Sequence, residues 1–336
     1  MKVCVVGAGA IGGLLGVKLA LAGEDVTFID SHPAHLEAMR TKGLALEMHG
    51  GARLVASNVR ATSDIREPGA QDLVIIAVKA HQIPAIAANV HALFGPATMV
   101  MTVQNGIPWW YFSKAGGPYA ERRISAVDPD GTIAANIEAD RIIGCVVYPA
   151  GEVIAPGVIK HVEGDRFSIG ELDGQKTERV EALAQTLIKA GFKSFVLDDI
   201  RSEIWLKLWG NLSFNPISSL THATLVDICQ FPLTRDLAAR IMEEAQIVAG
   251  KLGVTFRHTI EKRIAGAEGV GKHKTSMLQD VEAGRSLEVE ALVGAVVELA
   301  RLTETPTPHI DAVYACTKLL AKTIDDEQVG FPPKPR

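Results

Sequence analysis

The chain has 336 residues, enough for two domains that each bury a core of their own. Hydrophobic residues make up 47%, charged residues 22% and the net charge is -5, a soluble globular composition without the basic footprint of a nucleic-acid binder. Cys4, Cys145, Cys229 and Cys316 stand far apart with no CxxC and no metal-ligand spacing, so they read as buried thiols in the reducing cytoplasm and imply no metal. No segment reaches the roughly 18 to 20 uninterrupted apolar residues that span a bilayer, so no membrane partner is expected.

Lys2 to Val6 is a short β-branched run that predicts a strand. It leads directly into Gly7-Ala8-Gly9-Ala10-Ile11-Gly12 and a helical pattern through Leu21. In a strand, turn and helix of this kind the first glycine makes the tight turn, the second lets a pyrophosphate approach, and the third lets helix and strand pack closely. The segment therefore predicts a dinucleotide site with the pyrophosphate on the helix N-terminus. The same residues imitate a secretory signal ending in Ala20-Leu21-Ala22, but the glycines and Lys18 within the apolar stretch argue for the helix.

Asp25 to Ile29 predicts the second strand. Asp30 follows it, where an acid accepts hydrogen bonds from the adenosine ribose of NAD and would repel a 2′-phosphate. Its other reading is a helix cap or turn residue. His32 and His35 are candidates for contacting a phosphate.

Asp72 to Val78 and Met99 to Val103 are almost wholly apolar, as in a parallel sheet covered on both faces. They end in Lys79-Ala80-His81-Gln82 and Gln104-Asn105-Gly106, at the carboxyl edge where such sheets bind ligands. Lys79 and Asn105 are therefore candidates for cofactor or substrate contact, against ordinary turn chemistry. Trp109 and Trp110 either line a pocket or belong to the core or an interface. Arg141 to Tyr148, Val158 to Val162 and Phe167 to Ile169 are expected to extend the same sheet. Thr177 to Ala190 predicts an amphipathic helix and Phe192 to Val196 a last strand.

After Asp199 the strand signals stop. Helical patterns run from Ser202 to Leu220, Thr234 to Leu252, His258 to Ala267 and Glu288 to Arg301. The expected fold is α/β, with an N-terminal Rossmann-type dinucleotide-binding domain (1–198) followed by an all-helical C-terminal domain (199–336). The apolar faces of these helices leave open either a homodimer or simply a core.

Lys207, Asn211 and Asn215 recur at four-residue spacing and form one polar stripe, with Ile204, Trp205, Leu208, Leu212 and Phe214 supplying apolar surface around it. An ammonium between two carboxamides can donate to a carbonyl oxygen and release a proton as that oxygen gains charge, which suits carbonyl reduction. The plainer reading is a solvated lysine with asparagines at helix caps, and Asn215 before Pro216 predicts a helix end. Ser276 and Gln279 have capping-box spacing, and a helix start there also welcomes a substrate carboxylate. Glu288, beside Glu282 and Glu290, reads on its own as a surface residue.

These segments together resemble the ketopantoate reductases, also called 2-dehydropantoate 2-reductases, over nearly the whole chain. The resemblance rests on GAGAIG from Gly7, VKAHQ from Val78, QNG from Gln104, APGVIKH and FSIGE around Gly157 and Gly170, WLKLWGNLSFNP from Trp205, and SMLQD from Ser276 with a glutamate downstream. It implies hydride transfer from a nicotinamide to the C2 carbonyl of a small 2-oxo acid, with Lys207 as general acid. It further implies that Asn211 and Asn215 position substrate, that Ser276 contacts its carboxylate, and that Glu288 contacts its hydroxyl end and orders the lysine. Asn105 would lie near nicotinamide and substrate, and Lys79 on the cofactor side.

Asp30 departs from the family pattern. The resemblance implies NADP(H), whereas Asp30 argues for NAD(H). NAD-dependent D-2-hydroxyacid dehydrogenases of the D-mandelate type share the architecture and accept bulkier 2-oxo acids. A β-hydroxyacid dehydrogenase is argued against by Asn215 and SMLQD, and a non-catalytic nicotinamide sensor by Lys207, Ser276 and Glu288. The tail from Asp325, with Pro332, Pro333 and Pro335, is expected to be mobile.

Overall fold

The computed structural model describes residues 1–327 and 330. In chain order the strands are β1 (Lys2–Val6), β2 (Asp25–Ile29), β3 (Leu44–Glu47), β4 (Arg53–Ala56), β5 (Arg60–Thr62), β6 (Gln71–Ile76), β7 (Phe94–Thr102), β8 (Ile142–Val147), β9 (Ala150–Ala155), β10 (Val158–Glu163), β11 (Arg166–Glu171) and β12 (Lys193–Val196). Among them run α1 (Ala10–Leu21), α2 (Pro33–Lys42), α3 (Ile83–Val90), α4 (Thr132–Asn136) and α5 (Glu178–Lys189). The remaining helices are α6 (Ile200–Thr221), α7 (Leu225–Gln230), α8 (Pro232–Lys251), α9 (Ile260–Gly269), α10 (Ser276–Glu282), α11 (Ala295–Leu302) and α12 (Pro308–Glu327). Two compact units result. The first comprises Met1–Gln104, Trp109–Arg123 and Asp130–Ile200, and the second Asn105–Pro108, Ile124–Pro129 and the chain from Arg201.

The first unit is built on an eight-stranded sheet of order β12-β11-β8-β7-β6-β1-β2-β5. It is parallel except where β8 meets β11. Four of the five residues of β1 and all six of β8 are buried, because helices and chain cover both faces. The first glycine turn thereby falls at the carboxyl end of β1, between β6 and β2.

The expected extension of this sheet by Val158 to Val162 does not occur. β10 belongs to a second sheet of order β4-β3-β10-β9, paired parallel to β3 and antiparallel to β9. Its burial alternates, with Ile159 and His161 inward and Lys160 out, the mark of a strand covered on one face only. That inward face packs on α1, where a Cβ on Gly13 would stand 2.6 Å from Ile159 Cγ1. Helix α1 is thus gripped by both sheets, which is why its sequence is so rich in glycine. Trp109 and Trp110 are core residues, and the Trp110 indole donates to Thr102 Oγ1 at 3.0 Å.

The second unit is helical. α6 does not end at Asn215: it continues through Pro216 to Thr221. Proline in a helix interior costs about 3 kcal/mol, and here Phe214, Ile217, Ser218 and Ser219 around it are all buried, so packing outweighs the lost amide bond. On its other faces α6 is fixed by Trp209, whose indole donates to Met242 O at 2.7 Å, and by Glu203, paired with Arg257 at 2.8 Å. Glu244 of α8 caps α12 by accepting from the backbone amides of His309 and Ile310, each at 3.0 Å.

Asp325–Glu327 complete α12, and Asp325 accepts from Ser286 Oγ at 2.8 Å, while Pro332, Pro333 and Pro335 lie outside the described residues. Cys4, Cys145 and Cys229 are buried, and burial pushes the Cys4 thiol up to about 12, but Cys316 is exposed on α12. Among the described residues no helix is long and apolar enough to cross a membrane, and no group of three or more His, Cys, Asp or Glu can hold a metal ion.

Candidate active site

Two sets of predicted residues have a defined geometry, one in each unit. In the first unit the turn after β1 is held by Gly7, whose amide donates to Ile29 O at 2.8 Å and whose φ of +99° suits glycine. A Cβ on Gly12 would lie 2.0 Å from Gly7 O, so the helix approaches the turn as closely as a missing side chain allows. At Gly9 the opposite holds. A Cβ there would meet nothing within 4 Å, and Gly9 caps α1 without any side-chain hydrogen bond or acid in the first turn. The first amides of α1, from Ala10, Ile11 and Gly12, therefore belong to an uncapped helix start next to open space, a geometry that suits a pyrophosphate.

Asp30 closes this turn from the side. Its Oδ2 accepts the Ala8 amide and its Oδ1 the His32 amide, each at 2.9 Å. The turn reading of Asp30 thus holds, and because a carboxylate has about four acceptor positions, two bonds leave capacity for a ribose hydroxyl. His35 is not a phosphate ligand. It is buried, its Nδ1 accepts the Gly157 amide at 2.9 Å, and its Nε2 must then be the protonated nitrogen that donates to Ala8 O at 3.0 Å. A neutral imidazole therefore ties the second sheet to the glycine turn, while His32 is exposed at the start of α2.

Lys79 is half-buried after β6, and its amide donates to Gln82 Oε1 at 3.0 Å. Gln104, which the sequence presents only as part of a motif, cross-ties the strand ends: its Nε2 donates to Ile76 O at 2.7 Å and to Val78 O at 3.0 Å. An amide directly after an apolar strand is the signal that could have found it.

In the second unit Lys207, Asn211 and Asn215 share one face of α6. Lys207 Nζ donates to Asn105 Oδ1 at 2.5 Å. Asn215 is 4% exposed, and its Nδ2 is buried with no hydrogen-bond partner. A buried donor left unsatisfied costs about 1–3 kcal/mol, so the position is suited to a polar ligand atom. Beside the stripe, Arg263 of α9 lies against Gly210, where a Cβ would stand 1.8 Å from its Nη2.

Ser276 is exposed and is not the helix cap; Thr275 is, its Oγ1 accepting the Leu278 amide at 3.2 Å. The Ser276 hydroxyl is thereby free of the capping duty that its spacing suggested. Glu288 is half-buried immediately before the helical turn at Val289. Its acidic neighbours have structural roles: Glu282 pairs with Lys274 at 2.7 Å, and Glu290 accepts from Tyr314 and Lys318.

The family model for the ketopantoate reductase PanE/ApbA matches residues 3–174, and the model for its C-terminal part matches residues 199–321. The 2-dehydropantoate 2-reductase of Mesorhizobium japonicum is 53% identical over 321 residues, covering 96% of this chain and 98% of that protein. The chain belongs to the ketopantoate reductase family. It is an oxidoreductase that acts on CH–OH groups with a nicotinamide cofactor. Among solved structures, a candidate ketopantoate reductase from Ralstonia solanacearum MolK2 matches with a TM-score of 0.91 at 39% identity, over 96% of this chain and 98% of that one. D-mandelate dehydrogenase in complex with NADH and anilino(oxo)acetate matches with a TM-score of 0.82 over 97% and 99% of the two chains, but at 21% identity the likeness is one of fold.

Proposed function

We propose that this protein reduces 2-dehydropantoate at its C2 carbonyl to pantoate, with Lys207 as the general acid. The observation that carries the assignment is the bond from the Lys207 ammonium to the Asn105 carboxamide. An amide oxygen orients the ammonium but is too weak a base to take its proton, so the proton remains available to an oxygen that becomes an alkoxide. A reduced nicotinamide, when bound, supplies the hydride. Lys207 then gives its proton to the developing alkoxide and stabilises its charge, a contribution of about 4 kcal/mol, at the upper end for oxyanion donors.

Asn211 and the buried Nδ2 of Asn215 orient the substrate oxygens, Ser276 meets the carboxylate, and Glu288 meets the hydroxyl end and orders Lys207. The turn of Gly7, Ala8, Gly9, Ala10, Ile11 and Gly12 holds the pyrophosphate, with Lys79 and Asn105 on the nicotinamide side. We assign the cofactor as NADH rather than NADPH. Asp30 is held by two amides and would have to break both to withdraw its charge from a 2′-phosphate. The reading places the enzyme in the cytoplasm, with its nucleotide-binding part ending near residue 198.

The bulkier-substrate alternative draws on Trp109 and Trp110, and both are buried in the core. Initial rates with ketopantoate and each nucleotide, beside a panel of aryl and branched 2-oxo acids, test the proposal. Ketopantoate with NADH is expected to be the most efficient pair, and strong turnover of an aryl 2-oxo acid with weak turnover of ketopantoate would overturn it.

A further inference from the structure

The helix that follows Glu288 does not begin as a regular α-helix. Glu290–Gly294 form a π-turn, in which the amide of Ala295 reaches back five residues to the carbonyl of Glu290. In an α-helix that amide would bond the carbonyl of Ala291, four residues back. The extra residue thus withdraws the usual donor from one carbonyl of a buried helix, and π-turns of this kind are often found at functional sites.

The Ala291 carbonyl is satisfied from elsewhere in the chain. The amide of Ile107 donates to it at 2.9 Å. Ile107 is 1% exposed, so its side chain anchors the same contact. The residue before it, Gly106, has φ +88°, and a Cβ there would stand 2.2 Å from Ala291 O and 2.5 Å from its carbonyl carbon. Only glycine lets the segment come this close and turn this way. One residue further back is Asn105, whose amide oxygen receives the Lys207 ammonium at 2.5 Å.

The π-turn is itself held on its outer side. The Glu290 carboxylate lies against Gly294, accepts from the Tyr314 hydroxyl at 3.1 and 3.2 Å and pairs with Lys318. Farther along the same helix, Glu298 accepts the amides of Ser125 and Ala126 at 2.9 and 2.8 Å. Both loop segments of the second unit are thus docked on this one helix.

We propose that the π-turn at Glu290–Gly294 is a positioning device for the Lys207 ammonium, acting through the carbonyl of Ala291, the close approach of Gly106 and the carboxamide of Asn105. Gly106, Ile107 and Ala291 are positioning residues that touch no reacting atom. Their effect is to fix where Asn105 holds Nζ, and a misplacement of about 1 Å in such a donor can lower a rate roughly 100-fold. The proposal rests on the reading of Lys207 as the proton donor.

The test uses the full-length enzyme and two perturbations of one contact. Gly106→Ala introduces the Cβ that meets the Ala291 carbonyl. Replacing Ile107 by its α-hydroxy acid counterpart turns the Gly106–Ile107 amide into an ester, removing the N–H while keeping every side chain and so guarding against a Gly106→Ala chain that fails to fold. Each is expected to lower kcat by roughly 10- to 100-fold with KM for substrate and nucleotide within about threefold. Combined with Asn105→Ala, neither is expected to lower kcat further, because both act through Asn105.

A direct readout does not depend on turnover. The 15Nζ resonance of the Lys207 ammonium, identified by its loss in Lys207→Ala, is expected to show slowed proton exchange in the wild type and faster exchange in both Asn105→Ala and the ester variant. An ester variant with an unchanged resonance and unchanged kcat, or effects that add to those of Asn105→Ala, would overturn the proposal. Failure of the wild type to reduce ketopantoate would instead count against the functional assignment and leave the resonance test standing.

Discussion

The Lys207 ammonium stands 2.5 Å from the carboxamide oxygen of Asn105, although 102 positions separate the two residues in the chain. A carboxamide oxygen fixes the direction of the ammonium and is too weak a base to take its proton. The lysine is thereby oriented while its proton stays available for transfer.

Asn215 should separate stability from activity. Its Nδ2 is buried without a partner, so Asn215→Leu, which keeps the side-chain shape and removes the amide, should leave thermal stability unchanged or slightly raised. If the amide instead serves a substrate oxygen, kcat/KM for the 2-oxo acid should fall by about 100-fold, roughly 2.7 kcal/mol. A melting curve and initial rates on the same preparation check both halves, and an equal loss in each would mean that Asn215 is structural.

Gly9 and Gly12 should respond differently to the same methyl group. At Gly9 a Cβ meets open space beside the start of α1, so Gly9→Ala should cost about 1 kcal/mol or less in stability yet weaken nucleotide binding at least tenfold. At Gly12 the Cβ would press on Gly7 O, and Gly12→Ala should lose about 1–3 kcal/mol of stability or more. Nucleotide titration with a denaturation curve distinguishes the two, and wild-type affinity in Gly9→Ala would remove the pyrophosphate from this turn.

In the proposed assignment Asp30 carries the cofactor preference. Asp30→Asn keeps the shape and removes the charge, so the ratio of kcat/KM for NADPH to that for NADH should rise at least tenfold, about 1.4 kcal/mol. The absolute rate with NADH should fall somewhat, since the Ala8 and His32 amides lose a charged acceptor. A ratio that stays put would place the 2′ position away from β2.

The parts of this protein that were legible in its sequence are those governed by local periodicity and by residues with a single use. The β1 turn was readable because glycine at positions 7 and 12 answers two steric demands of one short segment, a positive φ and a close helix approach. The stripe on α6 was readable from four-residue spacing. Contacts between distant segments were not: β10 looks like a strand of the main sheet, and only its pairing with β3 and its packing on Gly13 assign it to the second. Pro216 carried a strong local signal for a helix end, and burial on every side of Phe214 and Ile217 overrode it. His35 offered a polar ring next to a phosphate turn, and its actual partners, Ala8 O and the Gly157 amide, lie up to 122 positions away. The π-turn leaves no mark in composition at all, because one inserted residue in a buried helix changes no residue type.

The most direct test of the central claim is turnover by Lys207→Ala with ketopantoate and NADH, measured together with nucleotide affinity. The proton-donor role requires kcat to fall by about 1,000-fold or more, near 4 kcal/mol of barrier, while the nucleotide Kd stays within about twofold. Turnover within a few-fold of the wild type would show that the proton comes from another group, and would contradict the role of Lys207 as general acid.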